Sequence, residues 1–278
     1  MTSHTATPSP MVLTGSGGAD RTRRTANPSP MVYARIAGVL YLLIAALSGF
    51  VHFYVRGELI VSGDATTTAT NIVASAGLFR VHIAAELVIL LSEIVLLVLL
   101  YVLLKPVSKT LSLVAAVSRL AMTTIHGINV LNNVIVLLLL SGAGYVTVFA
   151  PNQLHALVTL FLDAKSYGFS IGVAFLALHA AILSYLIFKS GYFPKVLGVL
   201  FMIATFGYLI DSFAHVLVAN HTTGAIYFVL PITIAEITFP LWLLIKGVNV
   251  KQCEQRARES DTENTVRVNH PVITPAGA

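Results

Sequence analysis

VHIAAELVILLSEIVLLVLLYVLL, residues 81–104, decides the fold. At about 1.5 Å per residue such a run, coiled as a helix, crosses the ~30 Å of a membrane's hydrocarbon. Two acids interrupt it, Glu86 and Glu93. Each costs roughly 2.5–3.5 kcal/mol on insertion scales at mid-membrane, so each needs a partner or a wet cavity. Working outward, five further apolar stretches of spanning length occur, at 34–55, 111–140, 165–188, 195–218 and 224–247. The chain as a whole agrees: 56% of its residues are hydrophobic and 10% charged, with a mean hydropathy of +0.83. A soluble chain carries roughly a quarter charged residues. The expected fold is all-α, an integral membrane bundle of six transmembrane helices with short extracytoplasmic helices and disordered termini.

The formal charge of +5 does not point to nucleic acid, because the basic residues form no patch. They recur between the apolar runs, which makes the lipid bilayer the expected partner. The one cysteine, Cys253, excludes an intrachain disulfide and an all-cysteine metal site. Three regions follow from composition: a disordered tail at 1–32, a six-span domain at 33–247 and a disordered cytoplasmic tail at 248–278. The first tail holds a near-repeat, TATPSPMV at 5–12 and TANPSPMV at 25–32, too polar to bury a core. Met31 is an alternative start, since MVYARIAGVLYLL begins cleanly there. Apolar character persists through Tyr54, past an ordinary signal-peptide core, so the first span reads as a retained anchor.

Lys and Arg set orientation. Arg21, Arg23, Arg24 and Arg35 precede span one, Lys105 and Lys109 join spans two and three, and Lys189 and Lys195 join four and five. Lys246, Lys251, Arg256, Arg258 and Arg267 follow span six. All fall on one side of a six-span chain, whereas the opposite loops carry Arg56 and Arg80 with Glu58 and Asp64. A plasma-membrane protein with both termini cytoplasmic is expected. Outside, a helix at 65–75 capped by Asp64 and a surface helix at 151–163 (PNQLHALVTLFLD) are expected. The inner links, KPVSKT and KSGYFPK, are short and imply a compact bundle.

Several stretches carry a resemblance: ARIAGVLYLL (34–43), RGELIVSGDATTTATNIVAS (56–75), LLYVLLKPVSKTLSLVAAVSRL (99–120), LLLLSGAGY (137–145), FKSGYFPKVLGVL (188–200) and GYLIDSFA (207–214). Together they resemble a bacterial multi-pass membrane family catalogued as domain of unknown function 4386. The likeness implies a membrane protein without an assigned activity. It also implies that the family has counterparts of Glu86, Glu93, Arg119, Asn129, His179 and Asp211. His82, His126 and His215 are less typical of it.

Helical spacing sorts the intramembrane polar residues. His82, Glu86 and Glu93 share one stripe of span two; Arg119, His126, Asn129 and Asn133 share one of span three; Asp211 and His215 lie one turn apart on span five. By depth from the inner ends, Glu93, Arg119, His179 and Glu236 form a layer at roughly 12–17 Å. Glu86, His126 and Asp211 form another at roughly 22–27 Å, with His82, Asn129 and His215 above it. Arg119 is expected to pair with Glu93 or Glu236, either as a structural ion pair or as a solute clamp or gate. In span six Pro231 and Pro240 each remove an N–H, and Pro240 frees the carbonyl of Glu236, as in the broken helices of cation carriers. An ordinary proline kink gives the same pattern.

The ion- or ligand-binding candidates are therefore Glu86, Glu93, Arg119, Asn129, His179, Asp211 and Glu236. A divalent-metal alternative would use His82, Glu86, His126, Asp211 and His215, in which His82/Glu86 and Asp211/His215 have one-turn ligand spacing. There is no HExxH, GxSxG, P-loop or dinucleotide fingerprint, and no cofactor is required. Gly142-Ala143-Gly144-Tyr145 lacks the sequence of a potassium filter. Three classes of function stand: a small-solute, ion or proton transporter, a membrane-embedded metal-dependent hydrolase, and a structural or regulatory membrane protein.

Overall fold

A computed structural model describes residues 29–218 and 226–269; the first copy of the near-repeat and the first half of the second lie outside them. Every regular element among the described residues is helical. Helix α1 (Pro30–Gly49) continues through a π-helical stretch, Phe50–Val55, into the single turn α2 (Arg56–Leu59). Then come α3 (Ala65–Ala74), α4 (Ala76–Leu104), α5 (Lys109–Leu139), a 3-10 turn at Gly144–Val146, α6 (Pro151–Ser190), α7 (Lys195–Leu217), α8 (Ile226–Ile245) and α9 (Val250–Asn269). Five of these runs are long and apolar enough to cross a membrane: Pro30–Leu59, α4, α5, α6 and α7. The sixth apolar helix, α8, turns by 97° into α9.

Local chemistry explains the ends. Pro30 and Pro151 sit in first turns, where a missing N–H costs nothing. Ser108 caps α5, its hydroxyl accepting from the Leu111 amide at 3.3 Å. Gly191, at φ 77°, closes α6 in the left-handed region that favours glycine. Asp64 caps α3 as expected, accepting from the Thr67 amide at 2.8 Å. The Thr67 hydroxyl and then its amide hold that carboxyl below its ordinary value.

The six apolar helices form a closed ring in chain order, α1 to α4 to α5 to α6 to α7 to α8, with α8 returning to α1. Its outer faces carry bare Leu91, Ile128 and Phe206, while Arg119, Glu93, His179 and Asn133 are buried inside. That inversion suits a lipid solvent. The main core lies around Tyr41, Leu96, Leu183, Ile187, Phe201, Phe239 and Leu243. A smaller one joins Val55, Leu59, Ile72, Phe79, Val136 and Val158.

The chain's turns gather at two ends. At one, the Tyr192 hydroxyl donates to the Leu103 carbonyl at 2.6 Å, the Asn249 amide donates to the Tyr192 carbonyl at 3.4 Å, and Met31 packs against Gly247. At the other, His155 Nδ1 lies 3.2 Å from the Thr66 hydroxyl, joining α6 to α3.

Three expectations change. Residues 151–163 are not a separate surface helix but the first part of α6, which runs unbroken for 40 residues, about 60 Å. No Pro or Gly interrupts Asp163-Ala164-Lys165, and Lys165 finds an acid inside the bundle. The C-terminal region from 248, expected without structure, contains α9. The Asn249 side chain caps it by accepting from the Gln252 amide at 3.3 Å, and Gln255 and Glu259 bond one turn apart at 3.0 Å. Cys253, on the first turn of this helix, is buried, and burial pushes its thiol up. Finally, α1 starts at Pro30, inside the expected tail of 1–32.

Candidate functional site

The inner cluster is built on α4, α5 and α6. Arg119 grips Glu93 with two parallel bonds, Nε to Oε2 and Nη2 to Oε1, the latter at 3.1 Å. Between the two acids the sequence left open, the structure therefore selects Glu93. The side chains are 2% and 6% exposed. The remaining arm of Arg119, Nη1, meets His179 Nε2 at 3.1 Å, and His179 Nδ1 meets the Ala115 carbonyl at 2.9 Å. A carbonyl only accepts and a guanidinium only donates, so His179 carries its proton on Nδ1 and is neutral. From α1, the Tyr41 ring lies under the guanidinium, 5.0 Å from its carbon, a cation–π contact.

Glu236 of α8 belongs to the same neighbourhood without taking the arginine. Its Oε1 accepts from the Tyr208 hydroxyl of α7 at 2.7 Å. Arg119, Glu93 and Tyr41 all lie within its electrostatic reach. The Tyr41 hydroxyl is buried beside Glu236 and Arg119 without a hydrogen bond of good geometry to any described residue.

The outer cluster sits seven residues back along α4, about 10 Å away. Glu86 Oε1 takes Lys165 Nζ at 2.6 Å and its Oε2 takes Asn133 Nδ2 at 2.8 Å. His82 Nε2 lies 2.9 Å from Lys165 Nζ and 3.1 Å from Asn133 Nδ2. Both neighbours are donors, so Nε2 is the acceptor and the ring proton is on Nδ1. That Nδ1 is buried with no partner among the described residues. The Lys165–Glu86 pair is less sealed than the inner one, at 16% and 12% exposure.

Between the clusters, α5 leans on the backbone of α6. Asn129 Nδ2 donates to the Lys165 carbonyl at 2.7 Å, and His126 Nε2 donates to the Phe169 carbonyl at 3.1 Å while stacking on its ring. Gly168 and Gly172 make this approach possible. A Cβ on the first would run into the Asn129 amide, and one on the second into the His126 imidazole. The pair is a small-xxx-small motif, the usual device for close helix contact in membranes.

Of the expected residues, Glu93, Arg119 and His179 thus share one cluster with Glu236 at its edge, and Glu86 and His82 share the other. Asn129 and His126 serve the α5–α6 contact. His215 of α7 lies 3.4 Å from the Ser166 hydroxyl and against the Tyr167 ring. Asp211, also on α7, has an interaction of its own. The proposed metal set is therefore dispersed, and among the described residues no three His, Cys, Asp or Glu side chains converge as ligands. One-turn spacing put pairs on the same face but did not make the faces meet, and a lysine already fills the place beside Glu86. Sequence reasoning missed Lys165, Asn133's role, Tyr41 and Tyr208. Lys165 sits at the very start of span four, where a positive charge looks like a loop residue.

Comparison with known proteins places these residues in context. The model of a family described as a domain of unknown function (DUF4386) matches residues 36–247. An uncharacterized protein of Archaeoglobus fulgidus is 29% identical over 163 residues, covering 57% of this chain and 79% of its own length. No solved structure matches. The match runs from the first turns of α1 to just past α8, taking in both charge clusters, and so the chain belongs to the DUF4386 family.

Proposed function

We propose that the chain is a transporter that passes a small ion or proton along the axis of the bundle. The observation that carries this reading is the pair of charge clusters on one stripe of α4. The outer, Glu86–Lys165, is partly open at 12% and 16% exposure; the inner, Glu93–Arg119, is sealed at 6% and 2%. Charges cost too much at mid-membrane to be kept without a use. A less sealed ion pair above a closed one is the arrangement an outward-facing carrier needs. The unit that does this is residues 33–247.

The orientation supports the same reading. The links holding Lys105, Lys109, Lys189 and Lys195, and the start of α9, share the end of the bundle where α1 begins. By the positive-inside bias that end is cytoplasmic, in the plasma membrane. A reporter inserted after Ser108 or Ser190 is expected to be cytoplasmic, and one between 62 and 66 extracytoplasmic. The reverse labelling would invert the proposed outer and inner sites.

Flux decides the function. Reconstituted vesicles holding the full chain, tested separately for proton, sodium and chloride movement, should exceed empty vesicles for one of them. The double change Glu86→Gln with Lys165→Met removes both charges together, so the fold is not left with an orphan. It should lower that flux at least tenfold with melting close to native. Flux no greater than empty vesicles for all three ions would favour a structural membrane protein, the reading that suits the fully bonded Glu93–Arg119–His179 set. A hydrolase draws less support, since His82, His126 and His215 have separate partners.

A further inference from the structure

Counting charge in the two clusters leaves one carboxylate over. Lys165 balances Glu86, Arg119 balances Glu93, and His179 is neutral by its hydrogen bonds. Glu236 has instead the neutral Tyr208 hydroxyl, at 2.7 Å. Beside it stands the Tyr41 hydroxyl, on a residue 2% exposed, close enough to interact directly with the Glu236 carboxyl but without a well-formed hydrogen bond to any described residue. A hydroxyl without a well-formed bond, beside a carboxylate without a counter-charge, is costly in a membrane interior unless a further positive charge joins them. The backbone of this helix is also weakened at the same residue. Residue 240 is a proline inside α8, so the Glu236 carbonyl lacks its i+4 donor.

We propose that Glu236, Tyr41 and Tyr208 form a binding site for one monovalent positive charge, a sodium ion or a proton. The donors are hard oxygens from a carboxylate and two phenols, which suit an alkali ion or proton rather than a soft metal. A single charge completes the balance, and the nearby Arg119 guanidinium disfavours a divalent ion. The groups facing Glu236 come from every side: Tyr41 on α1, Glu93 on α4, Arg119 on α5 and Tyr208 on α7, with Asp211 one turn beyond Tyr208. An empty, ionised Glu236 would compete with Glu93 for Arg119; an occupied one leaves the Glu93 pair intact. Occupancy at α8 thereby governs the inner ion pair. The inference rests on the transport reading for its purpose, but its chemistry is tested by binding alone.

The test uses the full chain in detergent, with sodium chloride exchanged for choline chloride at constant ionic strength. The single tryptophan, Trp242, lies on α8 six residues beyond Glu236 and reports locally. If sodium is the occupant, it raises the melting temperature saturably and changes Trp242 fluorescence with the same midpoint. Both responses vanish in Glu236→Gln, and Tyr41→Phe moves the midpoint at least tenfold. If a proton is the occupant, sodium has no effect, and an infrared carboxylic C=O band present at neutral pH disappears in Glu236→Gln and shifts in Tyr41→Phe. The Tyr41→Phe arm decides the matter should Glu236→Gln fail to fold. No sodium response together with a carboxyl spectrum unchanged in both variants overturns the site. Binding without flux would instead retain the site and remove the transport reading.

Discussion

Arg119→Leu is expected to cost about 3–5 kcal/mol, the usual penalty for stranding one member of a buried ion pair. The substitution leaves the Glu93 carboxylate, 6% exposed, with two lone oxygens and His179 Nε2 without its donor. Adding Glu93→Gln removes the stranded charge, and the double variant should recover much of the loss. Glu236→Gln in place of Glu93→Gln should recover far less, because Glu236 is not the residue Arg119 holds. Arg119→Lys should be costly too, since an ammonium cannot reproduce two parallel bonds and reach His179. Melting of the four-membered cycle reads the coupling directly. Additive losses for Arg119 and Glu93 would show that the pair does not form.

The second large effect belongs to the seam where α8 meets α1. A Cβ placed on Gly38 would lie 2.8 Å from the Leu244 nitrogen and 2.9 Å from the Pro240 oxygen. Both are backbone atoms, so no side chain can rotate away and the two helices must part. Gly38→Ala should lose about 1–3 kcal/mol, as overpacking generally does. Gly49→Ala, with nothing within 4 Å of the new methyl, should lose nothing and gain some helix propensity. Equal melting of the two variants would mean that the close approach is absent. The same substitution at Gly168 or Gly172 should be milder, because there the obstacle is the end of an Asn or His side chain.

The helices themselves could be read from apolar run length, since lipid imposes length and hydropathy on every span. So could the Asp64 cap, which is local chemistry, and the meeting of Glu93 with Arg119, which follows from shared depth. Depth says nothing about rotation around the ring, however. His126 and Asp211 were placed at one level, yet His126 faces a carbonyl of α6 while Asp211 is on α7, beyond α6 in the ring. Lys165 and Glu86, 79 residues apart, could be joined only once α6 was known to be continuous. Gly168 and Gly172 were readable as a small-xxx-small pair, and would have indicated which face of α6 receives α5. The π-helical stretch at Phe50–Val55 has no sequence mark, because it depends on what the first helix packs against.

The ring also has an order in time. Each helix rests on the one made just before it, so as a ribosome delivers the spans one by one, every new helix meets a finished neighbour at once. The α8–α1 contact is the exception. It must wait until the last span has entered the membrane, while α1 stands with one flank bare. A chain stalled before residue 226 would hold an open crescent with the Tyr41 and Arg119 side exposed, and that half-made surface is the one a membrane quality-control protease would meet first.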